Sequence, residues 1–170
     1  GRQSDEATHL AKFDRPLLVG TSEVSQALWR AVMSSDPVGK RTSVWGAPIP
    51  DGLSCRSFGQ GADLPVHCVS WLDAVEFCNA LSDIHGLTPP YKITPVDVSW
   101  DRTANGYRLP TEAEWNRAAR GGRDSWFPGG DILENIAWYC NNSGECSHAV
   151  GNKQANAFGL HDMAGNLHEW

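Results

Sequence analysis

Tyr107-Arg108-Leu109-Pro110-Thr111-Glu112-Ala113-Glu114-Trp115-Asn116-Arg117-Ala118-Ala119-Arg120-Gly121-Gly122 writes both ends of a short helix into one run of sequence. Thr111 stands where an N-cap belongs, and Glu114 follows at the capping-box spacing, so each side chain can serve the other's unpaired backbone N–H. Glu112 and Glu114 fall in the first turn and Arg117 and Arg120 in the last, as the helix dipole favours. Gly121-Gly122 supplies a left-handed exit. Pro110 biases Leu109 toward extended backbone. The helix has only a narrow apolar face, Trp115 with Ala118 and Ala119, so it must dock on a larger body.

Working toward the N-terminus, Asn105-Gly106 is a hairpin-turn signal, with Tyr107-Arg108-Leu109 as the return strand. Tyr91-Lys92-Ile93 and Val96-Asp97-Val98 read as the arms of a β-hairpin. Ser70 caps a second helix, with Asp73 in place of the capping-box glutamate. Trp71, Ala74, Val75, Cys78 and Leu81 recur at helical spacing, Phe77 and Ile84 widen the face, and Gly86 ends it. Val66-His67-Cys68-Val69 alternates like a short strand. Thr21 or Ser22 is expected to cap a helix over 23–33, whose apolar positions are Val24, Ala27, Leu28, Ala31 and Val32. Leu17-Leu18-Val19, followed by Gly20, reads as a strand. The tract 34–63, about 30 residues rich in Gly, Pro and Ser, has no periodicity and is long for a compact domain. Beyond Gly122 regular periodicity is lost, and Trp126, Phe127, Ile132, Ile136, Trp138 and Tyr139 anchor irregular backbone.

Composition narrows the class. A chain of 170 residues is expected to form one soluble domain. Eight tryptophans, 17 glycines and 10 prolines point to a loop-rich fold with large aromatic anchors. A net charge of −6 argues against nucleic acid as a partner. No apolar run approaches the roughly 20 residues that span a bilayer. Compartment stays open between bacterial cytoplasm and export, and oligomeric state is undetermined. The five cysteines, Cys55, Cys68, Cys78, Cys140 and Cys146, are an odd count and do not describe a closed disulfide framework. Cys78 reads as a small core residue. Cys140 and Cys146 flank a turn-rich tip and are either bridged or free, according to compartment.

Four blocks together carry a resemblance. They are Arg108 to Gly122; Asn156-Ala157-Phe158-Gly159-Leu160-His161-Asp162-Met163-Ala164-Gly165-Asn166-Leu167-His168-Glu169-Trp170; Pro65 to Cys78; and Glu23-Val24-Ser25-Gln26-Ala27-Leu28-Trp29. Taken in their order along the chain they resemble the formylglycine-generating enzyme (sulfatase-modifying factor) family. The resemblance implies an α+β fold of the formylglycine-generating-enzyme or C-type-lectin-like kind, with few short helices and residues 1–170 as a single, partial domain.

The resemblance also implies chemistry. Asp162 and Glu169 would give side-chain oxygens, and Gly165 and Leu167 backbone carbonyls, to a structural calcium ion, which takes about 6–8 hard oxygens. Asn135-Ile136 resembles a second calcium position, against the simpler reading of Asn135 as a turn cap. Family enzymes oxidise a cysteine of a Cys-X-Pro-X-Arg peptide in a sulfatase to formylglycine, using copper(I) on two thiolates. None of the five cysteines here matches those positions. The expectation is therefore a chain without the copper centre, incomplete at both ends and inactive as given. Its parent is either such an oxidase acting on a sulfatase-type peptide or a non-catalytic ligand-binding or sensor module of the same fold. His148, His161 and His168 cluster in sequence, but their spacing matches no paired metal motif. No nucleophile elbow surrounds Ser70 or Ser143.

Overall fold

The computed structural model describes residue 13, residues 16–37 and 58–170, and the backbone of 43, 44, 47 and 48. Most of the 34–63 tract, with Trp45 and Cys55, lies outside the described residues. The elements run α1 (Gln26–Met33), β1 (Ser43–Val44), β2 (Ala47–Pro48), α2 (Trp71–Ile84), β3 (Tyr91–Ile93), β4 (Val98–Trp100), α3 (Glu112–Arg120) and α4 (Leu133–Ile136). The strands pair only locally and antiparallel, β1 with β2 and β3 with β4, with Tyr91 opposite Trp100 and Ile93 opposite Val98. This is the α+β architecture expected, with few helices and little sheet.

The helices whose caps are legible form where the sequence places them. In α3 the Thr111 side chain accepts from Glu114 N and the Glu114 carboxylate accepts from Thr111 N, closing the capping box, and Gly121 exits at φ 59°. In α2 Ser70 and Asp73 make the same reciprocal pair. Gly86 then turns the chain at φ 65°. Arg108 clamps the α3 box from outside, its Nη1 and Nη2 donating to Glu114 Oε2 and Oε1 at 2.8 and 2.7 Å.

Two small cores hold these elements. In the first, α1 packs on α2 by a parallel stack of Trp29 on Phe77, centroids 5.1 Å apart. Gln26 is buried beneath it. Its Nε2 donates to the Gly59 and Pro65 carbonyls and its Oε1 accepts from Gly61 N, so both ends of the amide are partnered by backbone. In the second, Ala118 and Ala119 of α3 pack with Leu160, Met163 and the half-buried Trp115. Asn156, also buried, donates to the Ala118 and Ala119 carbonyls in the last turn of α3, and accepts from Phe158 N and Leu160 N.

Several expectations fail for identifiable reasons. The first helix begins at Gln26 with Ser25 as its N-cap, leaving Glu23 and Val24 outside it. Val24 O instead accepts from Val66 N at 2.8 Å, and Ser25 bridges Pro65. That single bridge replaces the strand expected at 66–69, which Cys68 interrupts at φ 61°. Leu17-Leu18-Val19 forms no strand; Leu18 is 99% exposed, and the run has no ladder partner among the described residues. In the β3–β4 hairpin the second strand starts at Val98, because Thr94 closes the turn onto Asp97 through N–H and hydroxyl bonds of 2.8 and 2.9 Å. Val96 sits at the tip, 93% exposed. Residues 107–109 are not a strand either. Tyr107 N donates to Ser82 Oγ and Leu109 N to the Tyr91 hydroxyl, so side chains take the amides that a ladder would use. Gly106 presses on Ser82 and the Thr88 carbonyl, where a Cβ would not fit, and this contact replaces the expected hairpin turn.

Candidate metal centre

The 156–170 segment folds as a chain of tight turns. Asp162, Gly165 and Asn166 adopt φ of 56°, 81° and 55°, a conformation that non-glycine residues hold only when their surroundings over-determine it. The surroundings are specific. Trp138 pairs with Gly165 in a parallel bridge, and its carbonyl accepts from Asn166 N at 2.8 Å. A Cβ on Gly165 would run into that carbonyl, so only glycine fits. Asn166 bonds the His148 backbone from both ends of its amide and donates to Glu23 Oε2 at 2.7 Å.

This geometry puts the Glu23 and Glu169 carboxylates within electrostatic range of Asp162. Asp162 is 4% exposed; its Oδ2 accepts from Gly151 N at 2.6 Å, and its Oδ1 is buried with no partner. Glu23 also carries a buried, unpartnered oxygen, Oε1. Glu169 Oε2 accepts from Trp115 Nε1 at 2.6 Å, tying the loop to α3. Burial pushes the Glu23 carboxyl up to about 8, and the Asp162 and Glu169 charges push it further in that direction against hydrogen bonds from Asn166 and the Leu167 backbone. Glu169, although much of its surface is open, is also held above the usual carboxylate range, first by burial of its carboxyl and then by Asp162. Buried oxygens without donors, and the Glu23 and Glu169 carboxyls held above their usual range, describe a centre short of positive charge.

The structure therefore brings Asp162, Gly165, Leu167 and Glu169 into one loop and adds Glu23, which sequence reasoning had assigned to the first helix. Among the described residues, no three His, Cys, Asp or Glu side chains converge as a ready-made cage. Backbone carbonyls would have to complete any coordination shell. Calcium fits such a donor set: hard oxygens, mixed carboxylate and carbonyl.

The Asn135-Ile136 position is different. Asn135 O accepts from Gln154 N at 2.8 Å, and Ile136 is a core side chain, 4% exposed. The histidines do not form a metal site. His148 stacks on Trp138 and bonds Ser143 O, His161 bonds Lys153 O, and His168 is exposed. Cys68 is disulfide-bonded, whereas Cys140 and Cys146 are free, exposed thiols rather than a bridged pair. Cys78 is buried as expected, and burial pushes its thiol up to about 11. None of these environments favours paired thiolates for copper.

Comparison with known proteins agrees with this architecture. The family model described as "Sulfatase-modifying factor enzyme 1-like domain" matches residues 1–170. The chain is 33% identical over 202 aligned residues to the chaperone protein LppX of Paenibacillus barcinonensis, covering 98% of this chain and 64% of that one. It is 40% identical over 148 residues to the formylglycine-generating enzyme of Thermomonospora curvata, covering 74% of this chain and 41% of the enzyme. Among solved structures, Treponema denticola variable protein 1 superposes with a TM-score of 0.70 at 35% identity, covering 87% of this chain and 59% of that one. The chain thus spans less than two thirds of the length of each of these relatives.

Proposed function

Because the chain belongs to the sulfatase-modifying factor enzyme 1-like family, we propose that Glu23, Asp162 and Glu169 hold a structural calcium ion and that the body so braced is a recognition module. Gly165 and Leu167 would contribute backbone carbonyls. When bound, the ion supplies the positive charge that the Glu23, Asp162 and Glu169 carboxylates lack. The single observation carrying this reading is the pair of buried, donorless oxygens, Glu23 Oε1 and Asp162 Oδ1, at one junction. Glu23 precedes α1, Asp162 lies in the 156–170 loop, and Glu169 is tied to α3 through Trp115. Neutralising that junction fastens three separate parts of the chain.

Recognition rather than oxidation is the reading these residues support for the chain itself. Oxidising a peptide cysteine with copper needs converging thiolates. Here Cys68 is in a disulfide, Cys78 is buried and held protonated, and Cys140 and Cys146 sit on an exposed turn. The ligand class in keeping with the family is a sulfatase-type peptide. A second reading, formylglycine generation by the whole protein, is favoured by the 40% identity to the Thermomonospora curvata enzyme.

Two measurements test the proposal. Terbium, a calcium mimic, should luminesce when sensitised by Trp115 beside Glu169, and EGTA or excess calcium should quench it; no sensitised emission would remove the calcium assignment. A Cys-X-Pro-X-Arg peptide incubated with this chain, copper and oxygen should yield no aldehyde. Aldehyde formation would replace the recognition reading with the oxidase reading.

A further inference from the structure

Around the second calcium position implied by the resemblance, at Asn135-Ile136, the backbone carbonyls of Glu134, Asn135 and Ala137 accept from the protein's own donors. Lys153 Nζ donates to Glu134 O at 2.6 Å. Gln154 N donates to Asn135 O at 2.8 Å, and Asn142 Nδ2 to Ala137 O at 3.1 Å. The Glu134 carboxylate accepts from the Tyr139 hydroxyl at 2.6 Å and from Asn142 Nδ2 at 3.3 Å. The Lys153 ammonium lies 3.9 Å from the Trp138 ring centroid, and that ring is stacked on His148 with centroids 3.7 Å apart. The Lys153 carbonyl bonds His161 Nδ1 at 2.7 Å, which fixes the backbone from which the side chain reaches.

We propose that the Lys153 ammonium is the resident cation of the Glu134–Ala137 corner, beside the Asn135-Ile136 position at which the resemblance implies a second calcium ion. Calcium requires about 6–8 oxygens, and the carbonyls of Glu134, Asn135 and Ala137 already have donors. A divalent ion admitted beside a fixed ammonium would also meet like-charge repulsion at short range. The ammonium gains a charge-assisted bond to a carbonyl and the face of an indole, a combination that attracts a monovalent organic cation and not a hydrated metal. Trp138 carries the effect onward: its backbone bridges Gly165 and bonds Asn166, so Lys153 steadies the loop that holds Asp162. This inference takes the Glu23–Asp162–Glu169 centre as read, but its test separates the two.

The test is an ion count on the full chain by native mass spectrometry or equilibrium dialysis, in wild type and in Asp162→Asn. One calcium ion per chain in wild type and none in Asp162→Asn is expected. Two ions in wild type, or one retained in Asp162→Asn, would overturn the Lys153 inference. Zero in wild type would sink the first centre while agreeing that this corner takes no metal. The second arm is thermal melting in calcium-free buffer. Lys153→Met keeps the alkyl stem and removes the charge, and should lower Tm by roughly 2–6 °C, while Lys153→Arg should recover at least half of that loss. An unchanged Tm in Lys153→Met would also overturn the inference. Should Lys153→Met fail to fold, the wild-type ion count still decides.

Discussion

Individual side chains in this protein act mainly by giving buried polar groups a partner. Arg108 and Glu114 are the clearest pair. Two parallel N–H to oxygen bonds join them, at side-chain exposures of 23% and 15%, and the Arg108 bonds, foremost among the causes, hold Glu114 down to about 2. An acid whose folded pKa is depressed contributes stability above its unfolded pKa and loses it as pH falls toward the folded value. The contribution should therefore be intact above pH of about 4.5 and fade between about 4.5 and 2. Its size is about 2–3 kcal/mol after allowing for partial solvent screening. Urea unfolding from pH 6 down to pH 2.5 should show Glu114→Gln less stable than wild type at the upper end and the gap closing at the lower. A gap constant with pH would contradict the assignment. At this scale the sequence was legible where interacting residues are close together: Thr111 with Glu114, Ser70 with Asp73, and the turn residues around Gly165. It was not legible where they are far apart. Glu23 and Asn166 are 143 positions apart, and no local period or spacing links them. Gln26 and Asn156 were likewise invisible as buried polar hubs, because their partners are backbone groups that exist only once the loops are in place.

Elements follow the same division. Helices with both ends written in sequence, α2 and α3, form within a residue of expectation, because capping is a local hydrogen-bond requirement. Thr111→Ala should remove one such bond and cost about 1 kcal/mol, lowering Tm by roughly 2–4 °C. Thr111→Ser should be nearly neutral, and an equal loss in both would mean that the cap hydroxyl is not what matters. Strands were misread because a strand is defined by its neighbour. Leu17-Leu18-Val19 has the composition but no ladder partner among the described residues. Residues 107–109 have their amides claimed by Ser82 and Tyr91. The first helix starts late because Ser25 can both cap it and bridge Pro65, which frees Glu23 for the carboxylate junction.

For the whole molecule, the fold is a set of short capped helices on irregular backbone, with two small cores and no extensive sheet among the described residues. Such a body has little cooperative hydrogen-bonded framework to resist opening, so a charge-deficient junction between α1, α3 and the 156–170 loop is where a cation contributes most. A ligand at 100 times its Kd stabilises the folded state by about 2.7 kcal/mol, which corresponds to a Tm rise of roughly 5–10 °C for a chain of this size. The direct test is calorimetry of the full chain in EGTA and in saturating calcium, with wild type, Glu23→Gln and Asp162→Asn side by side. The account predicts that calcium raises the wild-type Tm by that amount and leaves both variants unmoved. Superimposable wild-type transitions with and without calcium, or variants that respond as wild type does, would contradict it.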